Sequence, residues 1–132
     1  KMRMDAFTGN PVLGHITTFG GHPVCCAAGL AAMKALLEEG WIDKVTGKED
    51  LFRSLLVHPA IQSVRSFGLW MAVEFDSFDS CKKVIDHCVE HGVLTDWFLF
   101  APHCLRISPP LIISEAQVQK TAAIIVEAAG RL

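Results

Sequence analysis

The densest chemistry in the chain lies in His15-Ile16-Thr17-Thr18-Phe19-Gly20-Gly21-His22-Pro23, where two hydroxyls precede two glycines and a proline opens an alanine-rich segment. Hydroxyls and free backbone N–H groups ahead of a helix suit an anion, most naturally a phosphate. The plain alternative is a glycine-rich turn that binds nothing. A second segment, Leu105-Arg106-Ile107-Ser108-Pro109-Pro110-Leu111-Ile112-Ile113, sets an arginine in a short apolar strand stopped by two prolines. A guanidinium among Leu105, Ile107, Leu111 and Ile113 is unfavourable to bury unless an anion satisfies it. Its planar fork matches a carboxylate. The alternative is an edge-strand arginine whose stem packs while its head reaches water.

His87, Cys88 and His91 form the remaining group, since histidines four apart share one helix face as metal ligands do. No further cluster in the sequence completes a ligand set, so the expectation is an ordinary surface helix without metal. Lys82-Lys83 and the other charges fit solvated faces. Trp41, Trp70 and Trp97 fit core or interface filling better than stacking platforms.

Elements must hold these residues in place. Pro23 to Glu39 predicts a helix, opened by proline and closed by Gly40. Its surface is lined with small residues from Cys25 to Ala35. Lys48 to Val57 predicts a second helix, with Leu51, Leu55 and Leu56 on its apolar face and His58-Pro59 ending it. From Ile61 to Phe75 the alternation of Val64, Phe67, Leu69, Met71, Val73 and Phe75 predicts a strand or two. Gly68 marks a turn, a bulge or a close backbone approach within it. Phe78 to His91 predicts a third helix, capped by Asp76 or Ser77, striped by Cys81, Val84, Ile85 and Cys88, and closed by Gly92. Val93 to Phe100 and Cys104 to Ile107 predict strands. A capping box at Ser114-Glu115-Ala116-Gln117 starts the last helix, which runs to about Ala129. The order implies an α+β fold, a small and largely antiparallel sheet with helices on one face. Residues 1–14 are less regular: Met2, Met4 and Phe7 suit the end of a helix stopped by Thr8-Gly9-Asn10-Pro11.

Composition narrows the classes. A chain of 132 residues predicts one core, and 51% hydrophobic with 20% charged residues is globular with an apolar excess suited to a partner surface. A net charge of −2 argues against an electrostatic nucleic-acid binder. No apolar run is long enough to cross a bilayer. Lys1-Met2-Arg3-Met4-Asp5 lacks the apolar stretch of a signal peptide. The five scattered cysteines suit a reducing compartment, with cytoplasm the default, and act as small buried hydrophobes.

Thr17-Thr18-Phe19-Gly20-Gly21-His22-Pro23, the small-residue helix after it, Arg65-Ser66-Phe67-Gly68-Leu69 and Leu105-Arg106-Ile107-Ser108-Pro109-Pro110-Leu111 occur in the order found in class III aminotransferases. Over nearly its whole length the chain resembles this pyridoxal-phosphate-dependent family. The resemblance implies a fold type I small domain over 23–132, with 1–22 a remnant of the large cofactor-binding domain. It implies that Thr18, with Thr17 a lesser contributor, reaches across a homodimer interface to the cofactor phosphate of the neighbouring subunit. It implies that Arg106 binds a substrate carboxylate, the substrates being an amino acid or omega-amino acid and a 2-oxo acid. His22 stands where many relatives have asparagine, and Ser66 replaces the first glycine of an Arg-Gly-x-Gly-Leu pattern.

The same resemblance places the Schiff-base lysine and the acidic partner of the pyridinium nitrogen upstream of this sequence. The expectation is a C-terminal portion that contributes no catalytic residue and does not transaminate or bind the cofactor alone. The competing expectation is a non-catalytic stand-alone interaction or regulatory domain derived from the same fold.

Overall fold

The computed structural model describes residues 18–132, so the helix end expected ahead of Thr8-Gly9-Asn10-Pro11 and Thr17 lie outside the described residues. The chain divides into two compact units, Lys1–Glu39 and Gly40–Leu132.

In the first unit, helix α1 (Pro23–Glu38) begins with proline at its first turn, where the missing N–H leaves no bond unmade. It ends as Glu39 donates its N–H to Ala35 O at 3.0 Å. Val24, Leu30, Met33 and Leu37 are exposed, and α1 buries no residue. Cys25 and Cys26 are exposed as well, which corrects the expectation of buried thiols for this pair.

In the second unit a 3-10 turn (Ile42–Lys44) runs into α2 (Val45–Leu55). The helix starts three positions before the Lys48 that its periodicity suggests, because Val45 packs on the core and draws the first turn into helical geometry. Strands β1 (Ser63–Phe67) and β2 (Trp70–Glu74) form an antiparallel hairpin. The two-residue connection inverts the parity of the alternation. Leu69, Met71, Val73 and Phe75 face the core, whereas Phe67 pairs with Trp70 on the opposite face. Gly68 is both the turn and the close approach expected of it. Its φ is +61°, and a Cβ there would stand 2.8 Å from Val45 Cγ1.

Helix α3 (Phe78–Glu90) is capped by Ser77, whose hydroxyl accepts from Ser80 N at 3.2 Å. Its stripe of Cys81, Val84, Ile85 and Cys88 is buried, and burial pushes the Cys81 and Cys88 thiols up to about 12 and about 11. The strand expected over 93–100 is only β3 (Asp96–Phe98). Val93 N donates to Cys88 O at 2.8 Å to close α3, so its N–H is committed before a ladder can begin. At the other end the register shifts between Trp97 and Phe98, and the chain turns. β4 (Ala101–Ile107) is correspondingly longer than expected. Helix α4 (Glu115–Ala129) opens on the capping box, with both reciprocal bonds between Ser114 and Gln117 made.

The sheet order is β1-β2-β4-β3 and every pairing is antiparallel. Met71, Val73, Leu105 and Ile107 meet Phe52 of α2, Val84 of α3 and Val118 and Ile125 of α4 in one core. This is the α+β architecture that the element order implies. No helix among the described residues is long and apolar enough to cross a membrane.

Gly68→Ala forces a left-handed backbone on alanine and pushes Val45 aside, so it should destabilise the second unit by about 1–3 kcal/mol. Gly47→Ala lies in α2 with open space around it and should stabilise by about 0.5–1 kcal/mol. Opposite shifts of the two urea midpoints are the expected result.

Candidate functional site

Strand alternation sets a row of residues on the sheet face away from the core. Arg65 of β1 pairs with Ala72 of β2, Ala72 with Arg106 of β4, and Arg106 with Asp96 of β3. Aromatic side chains border this row: Phe67 is 88% and Trp70 62% exposed, with the Phe98 ring 6.4 Å from that of Trp70. No helix of the second unit covers them.

The two arginines are held very differently. Arg65 donates to the Glu74 carboxylate and, at 3.3 Å, to Ser63 Oγ, and its second nitrogen lies 3.4 Å from Cys104 Sγ. Glu74 also accepts from the Ser63 hydroxyl at 2.5 Å and has His103 Nε2 at 3.4 Å. The Ser63 hydroxyl and then the Arg65 guanidinium hold the Glu74 carboxyl below the usual carboxylate range. Among the described residues, the carboxylate nearest the Arg106 guanidinium is Asp96, with Oδ2 at 3.9 Å, beyond hydrogen-bonding distance. Its backbone is fixed instead: Thr95 Oγ1 donates to Arg106 O at 2.5 Å. The loop beyond it is fixed by Lys48 Nζ, which donates to Leu111 O at 2.6 Å.

A hollow of about 430 Å³ opens on the sheet face, lined by both guanidiniums with Ala72, Phe98, Phe100 and Cys104. Its size falls in the range of small-ligand sites. A positioned guanidinium without a bidentate partner, at the wall of a partly apolar hollow, can take a carboxylate. Among the described residues, no lysine lines that hollow.

Thr18 belongs to the first unit. It is exposed and its hydroxyl has no partner among the described residues. His22 N donates to Phe19 O at 3.0 Å, and the two rings meet edge to face at 6.4 Å. Gly21 has φ +81°, with open space where a Cβ would stand. Two contributors escaped the sequence. Glu74 stands diagonally across the hairpin from Arg65, a pairing that follows once Gly68-Leu69 is taken as a two-residue turn. Ser66, where the resembled pattern has glycine, accepts from Arg53 Nη1 at 2.9 Å, and the same nitrogen donates to Val64 O at 3.0 Å. The departure is a tether between α2 and β1.

The family model for class-III aminotransferases matches residues 3–129. The acetylornithine aminotransferase of Haemophilus ducreyi is 35% identical over 114 residues, covering 86% of this chain and 28% of that protein. The crystal structure of acetylornithine aminotransferase from Elizabethkingia anophelis superposes with a TM-score of 0.76 at 28% identity, over 89% of this chain and 32% of that one. Ornithine aminotransferase from Toxoplasma gondii gives the same TM-score of 0.76 at 28% identity, over 89% and 29%. The chain thus spans less than a third of the length of each relative.

A carboxyl held below its usual value contributes stability that is complete at neutral pH and lost as pH falls through its folded-state pKa. Glu74→Gln should therefore lower the denaturation midpoint at neutral pH. The difference from the parent should vanish in acid well below 4.5, the ordinary value for the group. Unfolding curves across that range test the assignment.

Proposed function

This chain belongs to the class-III aminotransferase family, and from that premise we propose that it is the C-terminal part of a pyridoxal-phosphate-dependent transaminase. The whole enzyme moves an amino group between an amino acid, or an omega-amino acid, and a 2-oxo acid. Likeness to acetylornithine and ornithine aminotransferases supports a donor of that class. When bound, pyridoxal phosphate supplies the electron sink for the transfer.

One observation carries the assignment of roles. Arg106 stands on the uncovered sheet face with its backbone pinned by Thr95 and its nearest carboxylate at 3.9 Å, while Arg65 is committed to Glu74. Arg106 therefore grips the substrate carboxylate, and its fixed strand sets the direction from which the amino group approaches. Asp96 keeps the guanidinium oriented between turnovers without competing as a bidentate partner. Thr18 fits a phosphate chemically, as an exposed hydroxyl next to glycines that let a ligand approach the backbone. In the homodimer it donates to the phosphate held by the neighbouring subunit, with Thr17 as a lesser contributor. Among the described residues no lysine lines the hollow beside Arg106, which supports a chain that is inactive by itself.

In the complete enzyme, Arg106→Gln should raise KM for the carboxylate substrate by roughly 10- to 100-fold, the worth of a charge-assisted hydrogen bond. The bound cofactor's absorbance should be unchanged. Arg65→Gln should leave KM within about threefold, since its guanidinium already serves Glu74. The reverse ranking would sink the role given to Arg106. The isolated chain mixed with pyridoxal phosphate should show no transamination, and turnover by it would refute the claim that its catalytic lysine lies elsewhere.

A further inference from the structure

Away from the sheet face, where the last turn of α3 meets α4, the described residues hold a cluster of groups suited to a metal ion. His87, Glu90 and His91 each offer a ligand atom within 4.8 Å of the other two. His87 is 8% exposed, and its Nε2 is closed to solvent without a hydrogen-bond partner. Buried polar atoms are nearly always satisfied, so this nitrogen stands out. The nearest opposite charge, Glu127 Oε1 on α4, is 4.0 Å away and too far to bond.

The neighbouring ring has a free nitrogen to offer. His91 stacks on His87 with centroids 3.9 Å apart and planes inclined by 26°. His91 Nδ1 lies 2.8 Å from the His87 carbonyl oxygen. A carbonyl only accepts, so Nδ1 carries the proton and the neutral ring keeps its lone pair on Nε2. Metal-binding histidines fix their tautomer with this kind of outer hydrogen bond. His87 and Glu90 also line one shallow cleft between the two helices, with Arg131 at its rim.

We propose that His87, Glu90 and His91 form a binding site for a divalent transition-metal ion, with Zn2+ the best match. Two imidazoles and one carboxylate suit zinc better than magnesium or calcium, which prefer all-oxygen shells. Three protein ligands leave one tetrahedral position for water. Bonds of about 2.0–2.2 Å draw the ligand atoms closer together than they stand now. Stacked rings aim their in-plane lone pairs side by side, so His91 must turn out of its stack on His87 for both to reach one ion; His91 and Glu90, both exposed, supply that movement, while His87 is held by packing. Glu127, paired with Arg131 at 2.5 Å, faces the cluster from α4. Cys88, on the same helix, is buried in the core stripe and takes no part.

The test is titration of the full chain with Zn2+ against a chromophoric chelator near neutral pH, with Co2+ as spectroscopic probe. The expected result is one ion per chain and a Co2+ spectrum of nitrogen and oxygen ligands without thiolate charge transfer. His91→Asn and Glu90→Gln, both at exposed positions, should each weaken Zn2+ binding by at least about tenfold. Their unchanged folding is checked by circular dichroism. A double Cys25→Ser, Cys26→Ser variant should bind as the parent does. Absence of binding, a thiolate band, or unchanged affinity in His91→Asn overturns the proposal.

Discussion

β2 and β4 meet as Met71↔Ile107, Ala72↔Arg106, Val73↔Leu105 and Glu74↔Cys104, and the rest of the second unit depends on that register. It turns Met71, Val73, Leu105 and Ile107 to the helices in a single apolar surface. The residues between them fall on the other face, where Arg106 joins Arg65 and Asp96 in one row. A slip of β4 by one residue would carry Arg106 into the core and Leu105 and Ile107 into water. A charge without a partner there would be far more unfavourable than any gain in pairing. The core and the candidate carboxylate site are therefore two consequences of one pairing.

Each helix contributes at a different level. α2 fills the core with Phe52 and reaches the sheet through Arg53, which bonds Ser66 Oγ and Val64 O. α3 buries its cysteine-containing stripe and carries His87 to its last turn, where α4 brings Glu127 opposite. α4 seals the core with small residues at helical spacing, among them Ala122, Ala128 and Ala129. Much of the apolar excess of the composition remains outside this arrangement. It lies on α1 and on the sheet face around Phe67, Trp70 and Phe100.

Much of this was legible from residue order. The caps at Ser77 and Ser114, the stripe of α3 and the alternation of β2 are local patterns, and local patterns survive folding because they bond within a few residues. What escaped involved competition between neighbours. Val93 looks like strand, yet the end of α3 claims its N–H, leaving β3 three residues long. Phe67 looks like core, yet the turn after it inverts the parity and leaves it exposed. Cys25 and Cys26 look like small core residues, yet α1 finds no cover among the described residues.

The sequence by itself determined the family, the α+β layout and the identity of Arg106 and Thr18 as the residues to watch, since motif order and periodicity are properties of the chain alone. Only the tertiary structure decided that Arg65 is spoken for and Arg106 is not, because Glu74 and Asp96 reach them across strands at distances no spacing encodes. It also decided that His87 is buried beside His91 with Glu127 opposite, a consequence of α4 folding back on α3. Which charges are free is a matter of packing in three dimensions.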